Sequence, residues 1–266
     1  MKKILVLILA VFLVTSMAVF VGCTPPEPPE VIPPEPPEVI PPEPPEVVPP
    51  VDYSADNNYA YQIVSDDDYV TYVPDANATH GFLFYLGTMV APEYYDYLAS
   101  ALAKQGYLVV ISTNAMPYTL YDKEEPTFED YSNITFFVGG HSQGGAAAVK
   151  RTNENRDKVA GVVLLAPLAY PHDSIADAGI PVLLLEATKD GVLTSAMKAD
   201  AKRSIPYNSE QYMIEGCHMS FSTFDSDGTL TMFHDGPATQ EEKDAQRKAT
   251  VAYVLAFLKS VVTSAE

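Results

Sequence analysis

The residues best suited to chemistry are in Gly139-Gly140-His141-Ser142-Gln143-Gly144-Gly145. An apolar run, Ile134–Val138, precedes them, and Ala146-Ala147-Ala148-Val149 follows with the character of a helix. A strand, a tight turn with serine at its apex and then a helix form the G-x-S-x-G nucleophile elbow. Such a turn strains the serine backbone so that its Oγ stands clear of the sheet, and small residues must flank it. Gly140 and Gly144, two residues either side of Ser142, meet that need. The plainer alternative is a glycine-rich loop with an idle serine. It suits an isolated G-x-S-x-G better than one set between a strand and a helix.

A serine nucleophile needs a base to take its proton and an acid to orient that base. Behind such an elbow the chain order is serine, carboxylate, histidine, each on a loop after a strand. The histidines are His80, His141, His172, His218 and His234. His218 follows the strand-like Glu210–Ile214 by four residues and is the first candidate base, with His234 as its competitor. For the acid, Thr188-Lys189-Asp190-Gly191 puts Asp190 on a turn just beyond the strand ending at Ala187. Glu186 inside that strand, and Asp173 and Asp177 after the preceding one, are the alternatives. Two N–H donors are needed for the developing oxyanion. The N–H of Gln143 is one candidate; that of Thr88, in Gly87-Thr88-Met89, is the other. Met116, Tyr118, Tyr121 and Phe221 are available either to line a cleft or to pack.

The elements that must position these groups alternate between apolar runs and helical patterns, as an α/β domain with a mostly parallel sheet requires. Strands are expected at Tyr69–Val73, Phe82–Leu86, Tyr107–Ile111, Ile134–Val138, Val159–Ala166, Ile180–Ala187 and Glu210–Ile214. Pro92–Gln105 reads as a helix burying Tyr95, Leu98, Ala99 and Leu102. The closing helix starts at Thr239, whose spacing to Glu242 makes a capping box, and its apolar stripe is Val251, Val254, Leu255, Leu258 and Val262. Asn114–Asn133 holds at most one short helix.

Met1-Lys2-Lys3, then the apolar Ile4–Val21, read as a secretory signal over residues 1–22. Val21-Gly22-Cys23 resembles a bacterial lipobox, with Phe20 where leucine is usual. That resemblance implies cleavage before Cys23 and lipidation there. An uncleaved membrane anchor is the alternative, and either places the rest outside the cytoplasmic membrane. Residues 25–48 then repeat PPEPPEVI, PPEPPEVI and PPEPPEVV. This proline density excludes helix and sheet, so residues 23–51 should form a polyproline II stalk reaching roughly 80 Å at about 3.1 Å per residue. A ligand for a proline-binding module is the other reading.

Residues 52–266 are long enough for one domain with a sizeable core. The chain's net charge is −19; removing Lys2 and Lys3 takes it to −21, and removing the six repeat glutamates leaves −15. So acidic a domain argues against nucleic acid and against adsorption to anionic lipid. Cys217 is the single cysteine of the domain, so no disulfide forms within it. No metal-ligand spacing is present, and no cofactor is expected.

Phe84-Tyr85-Leu86-Gly87-Thr88, Gly106-Tyr107-Leu108-Val109-Val110, Gly140-His141-Ser142-Gln143-Gly144-Gly145, Thr188-Lys189-Asp190, Glu215-Gly216-Cys217-His218 and Asp235-Gly236-Pro237-Ala238-Thr239 together resemble the α/β-hydrolase superfamily. Within it, the chain is similar to small bacterial members related to the dienelactone hydrolase and cutinase-like groups. The resemblance covers nearly all of Tyr69–Lys259. It implies Ser142 as nucleophile, Asp190 as acid and His218 as base. The chain departs from the superfamily at Leu86, where histidine or proline usually precedes the glycine. Dienelactone hydrolases proper carry cysteine at the elbow, so serine shifts the expectation to ordinary carboxylic esters. Only Pro167–Gly179 follows the strand Val159–Ala166, too short for a helical lid. An open site suited to short-acyl or bulky polymeric esters is expected, on a monomer held to the membrane through Cys23. A non-catalytic surface lipoprotein using the same fold as a binding module, or acyl transfer on amides, is the alternative.

Overall fold

The computed structural model describes residues 50–118, 127–224 and 235–265. The signal peptide, Cys23 and the repeat expected from the sequence lie outside these, as do Tyr121 and His234.

Eight strands form one sheet: β1 (Tyr61–Ser65), β2 (Tyr69–Pro74), β3 (His80–Tyr85), β4 (Leu108–Ser112), β5 (Thr135–His141), β6 (Val159–Leu165), β7 (Val182–Ala187) and β8 (Glu210–Ile214). Their order across the sheet is β1-β2-β4-β3-β5-β6-β7-β8. β1 pairs antiparallel with β2 and β2 with β4; all remaining pairs are parallel. The six parallel strands therefore end on one edge, and the loops after β3, β5, β6, β7 and β8 all open there.

The parallel strands read as unbroken apolar runs because both sheet faces are covered. Phe82, Phe84, Val109, Ile111, Phe137, Val163 and Leu183 point to one core, and Leu83, Tyr85, Val110, Phe136, Val162 and Leu184 to the other. The first core is roofed by helices α1 (Asp96–Lys104) and α5 (Gln240–Ala265), which contribute Leu98, Leu102, Val254 and Leu258. The second is roofed by α3 (Gln143–Glu154) through Ala147, Ala148 and Val149. A short α2 (Thr127–Asp130) lies in the segment where one short helix was expected, and α4 (Ser195–Arg203) follows β7.

The expected helix at Pro92–Gln105 divides into a 3-10 turn, Pro92–Tyr95, and α1. The capping box forms as its spacing predicts. Thr239 Oγ1 accepts from the Glu242 N–H at 3.2 Å, and Glu242 Oε2 accepts from the Thr239 N–H at 2.7 Å. β1 and α4 were not expected. Most of β1 is exposed at the sheet edge, and α4 buries only Ala201, so neither shows the periodicity that marks an element in sequence. Between β6 and β7 there is a single 3-10 turn, Pro171–Asp173, and no helical insertion.

Candidate active site

Ser142 lies between β5 and α3 with φ 55° and ψ −119°. Positive φ is costly for a residue with a Cβ, on the order of 1–3 kcal/mol, and persists only where surrounding contacts enforce it. Here β6 enforces it. The Ser142 N–H donates to the Leu165 carbonyl at 3.0 Å, and the Ser142 carbonyl accepts from Leu168 at 2.8 Å and Gly145 at 3.0 Å. A Cβ on Gly140 would strike the backbone of Gly144, and one on Gly144 would strike the carbonyls of Tyr85 and Leu86. The elbow glycines are thus required by close approach of backbone to backbone. The other non-glycine residues with positive φ among those described are Met89 (61°) and Ala166 (40°). Both are on loops at the same sheet edge.

His218, four residues past β8, is 1% exposed, and its Nδ1 lies 3.2 Å from Asp190 Oδ2. Asp190 leaves the end of β7, and its side chain is fully buried. Its second oxygen accepts from the N–H groups of Val192 and Leu193, both at 2.9 Å. Lys198 Nζ, from α4, stands 3.8 Å from Oδ2. Burial alone would raise the Asp190 carboxyl. The hydrogen bond and charge of His218, with the two N–H donors, outweigh it and hold the group below its ordinary value. Glu186 instead pairs with Lys202 at 2.6 Å, Asp173 accepts from the Tyr118 hydroxyl at 2.7 Å, and Asp177 pairs with Arg156 at 3.0 Å. Of the four carboxylates weighed, Asp190 alone meets His218.

Ser142 and His218 line one cavity of about 180 Å³, together with Gly87, Thr88 and His141. Its other walls are apolar: Val90, Leu168, Val192, Leu193, Met197 and Met219. Ser142 Oγ makes no hydrogen bond among the described residues. Three of the four N–H groups from Gly87 to Val90 are committed: Gly87 to Tyr95 Oη at 2.9 Å, Met89 to Ala115 at 2.8 Å and Val90 to Gly87 at 3.0 Å. The N–H of Thr88 has no partner among the described residues. Gln143 opens α3, where first-turn N–H groups lack intrahelical acceptors. Tyr118 stacks on Tyr170 at 4.1 Å between ring centres, while Phe221 is fully buried. Phe221 therefore belongs to the core, not to a cleft wall, because it packs inward against His141. No group of three or more His, Cys, Asp or Glu converges to hold a metal among the described residues.

The loop bearing His218 is held by side chains from elsewhere. Gln246 on α5 accepts from the Cys217 N–H at 3.0 Å and donates to the Cys217 carbonyl at 2.9 Å. Asp235 accepts from the N–H groups of His218 at 3.0 Å and Met219 at 2.7 Å. His141 Nε2 lies 3.1 Å from the His218 carbonyl. From the sequence, Tyr95 is only a buried helix residue, Asp235 only part of a segment carrying the resemblance, and Gln246 has no role. Asp235 before Gly236 was the one available signal, an acidic turn residue just ahead of a helix cap. Cys217 is buried with its Sγ 3.0 Å from Ser220 Oγ, and burial pushes its thiol up.

Eight strands, a reactive residue type on a strained strand-to-helix turn and loops gathered at one sheet edge define the α/β class of hydrolases. A model of the alpha/beta hydrolase family matches residues 81–243, and the chain belongs to that family. Two solved structures share the fold. One is described as a predicted CIB-like hydrolase from Thermoplasma acidophilum; it is 17% identical, covers 74% of this chain and 98% of its own, and has a TM-score of 0.51. The other is a sugar hydrolase (YeeB) from Lactococcus lactis; it is 16% identical, covers 78% of this chain and 100% of its own, and has a TM-score of 0.54. No curated protein sequence matches this chain. Family and fold together support hydrolase activity.

His141 makes a pH-dependent contribution to stability. Burial, then the neighbouring His218, hold its imidazole well below the ordinary 6.5, so the folded protein keeps it neutral while the unfolded chain protonates it. Below about pH 6.5 the unfolded state therefore binds the extra proton and stability falls, by up to about 1.4 kcal/mol per pH unit from this residue. Urea unfolding between about pH 6.5 and pH 5, above the range where carboxylates titrate, should show a shallower slope for His141→Gln than for the parent.

Proposed function

We propose that this chain is a serine hydrolase of carboxylic esters, with Ser142 as nucleophile, His218 as base and Asp190 as orienting acid. One observation carries the reading: a serine at positive φ shares a cavity with a buried histidine whose Nδ1 faces a buried carboxylate. In the mechanism, His218 Nε2 takes the proton of Ser142 Oγ as the oxygen attacks the ester carbonyl. Asp190 accepts from Nδ1–H, fixes the tautomer and stabilises the imidazolium. The N–H groups of Gln143 and Thr88 receive the oxyanion, and the dipole of α3 favours charge there. His218 then protonates the leaving alcohol, and water, deprotonated by the same imidazole, hydrolyses the acyl-enzyme. No cofactor enters. Ser142→Ala should lower p-nitrophenyl acetate turnover on the order of 10⁴-fold or more while leaving the unfolding midpoint nearly unchanged; parent-like activity would refute the assignment.

The apolar walls argue for a small acyl group. An apolar cavity of about 150 Å³ holds a benzene ring, so the roughly 180 Å³ here suits acyl chains up to about six carbons. Across p-nitrophenyl esters, kcat/KM should hold from acetate to hexanoate and fall beyond it. A rise toward long chains would contradict this.

We place the domain outside the cytoplasmic membrane, carried on a lipidated Cys23 and its proline-rich stalk, as a monomer with no nucleic-acid partner. The leader and the Gly22-Cys23 junction support the placement, and the strongly acidic domain argues against nucleic acid. Radiolabelled palmitate fed to expressing cells should label the parent and not Cys23→Ser; an unlabelled parent, or equal labelling of the two, would remove the lipid attachment.

A further inference from the structure

Two fully buried polar side chains beside the cavity take no part in the proton path above: Tyr95, preceding α1, and His141, at the end of β5. Their hydrogen bonds run in one direction only. The His218 carbonyl can only accept, so His141 Nε2 must carry the hydrogen of the 3.1 Å contact between them. In a neutral imidazole Nδ1 is then an acceptor. The Tyr95 hydroxyl donates to it at 2.7 Å, and Tyr95 Oη accepts from the Gly87 N–H at 2.9 Å. The chain thus runs from Gly87 N–H through Tyr95 and His141 to the backbone carbonyl of His218. Its parts are in van der Waals contact as well. A Cβ on Gly87 would stand 2.9 Å from His141 Nδ1 and 3.0 Å from Tyr95 Oη, and the His141 ring centre lies 4.8 Å from that of His218.

We infer that Tyr95 and His141 are a positioning pair that locks the loop carrying Thr88 to the loop carrying His218, setting the oxyanion donors and the base at a fixed separation. The inference rests on the hydrolytic reading of residues 142, 190 and 218. Two consequences follow from the geometry. Engaging the Gly87 N–H in this chain leaves the N–H of Thr88 as the open donor of its loop. Tying the His218 carbonyl from the elbow side complements Asp235, which ties the His218 N–H from the segment ahead of α5. Burial keeps His141 uncharged, so it adds no second cation beside a base that must itself become one.

Tyr95→Phe tests the pair, because it keeps the ring against Phe84 and deletes only the hydroxyl. For p-nitrophenyl acetate, kcat should fall about 10- to 100-fold with KM changed less than about twofold. Affinity for a boronic acid, which mimics the tetrahedral intermediate, should fall in proportion. Tyr72→Phe removes another buried hydroxyl, one that bonds Asp96 at 3.1 Å, and should change neither. Histidine ring-nitrogen NMR of the parent, which needs no variant, should show His141 as the Nε2–H tautomer. Equal kcat in Tyr95→Phe and Tyr72→Phe, or an Nδ1–H tautomer at His141, would overturn the positioning role while leaving the Ser142 assignment intact. Loss of that assignment would show instead as full turnover in Ser142→Ala.

Discussion

On the hydrolytic reading His218 is a base on a loop, useful only if the loop's backbone cannot drift, and that constraint is met without a strand ladder. Residues 217–219 lie beyond β8, and side chains bind their polar backbone groups: Gln246 both groups of Cys217, Asp235 the amides of His218 and Met219, and His141 the carbonyl of His218. Loops are ordinarily the mobile part of a fold. A positional error near 1 Å at a reacting group costs about 10²-fold in rate. The docking of α5 over the sheet therefore does more than complete a core. Burying Val254, Leu255 and Leu258 brings Gln246, two turns earlier on the same helix, to a fixed place against Cys217.

The same logic operates at the elbow, with strain in place of side-chain ties. Ser142, Met89 and Ala166 hold positive φ on loops after three neighbouring strands, β5, β3 and β6. Ser142 is bonded at both its N–H and its carbonyl to the backbone leaving β6, so the turn cannot relax without breaking sheet-edge bonds. Unfavourable dihedrals survive in this way only when packing over-determines them, and they gather where geometry serves function. The paired cores on the two sheet faces supply that over-determination.

Much of the frame was legible in the sequence, because burial on both faces writes parallel strands as plain runs of Val, Leu, Ile and Phe. The amphipathic face of α1, the capping box of α5 and the glycines around Ser142 are also local patterns, and each has its expected counterpart in the structure. Asp190 and His218 were reachable from their places after β7 and β8. What was not legible has a common cause. Gln246 and Asp235 act by hydrogen bonds to backbone 29 and 17 residues away, and Tyr95 by bonds to the Gly87 N–H and the His141 ring; such bonds need no periodicity and no special neighbour. β1 and α4 escaped for the opposite reason: each is largely exposed, so neither needs the apolar spacing by which an element is read. His141 was visible as a histidine but sits before the serine, where it cannot be the base. Its part emerges only when the His218 carbonyl is seen above its ring nitrogen.

The lining of the cavity bears on what an ester would have to be. Its apolar walls come from the loops after β3, β6 and β7, from α4 and from Met219, and they enclose a limited volume beside Ser142. The segment between β6 and β7 carries a single 3-10 turn, so no helical lid rises there. A substrate bound with its acyl group among Val90, Leu168, Leu193 and Met219 would be measured on that side alone. Among the described residues, the β6–β7 segment offers the alcohol no comparable enclosure. On that reading, selectivity falls on the acyl group, since a lined wall can reject an oversized chain where an open mouth cannot. On the ester-hydrolase reading, the alcohol portion is free to be large, including one that is part of a polymer.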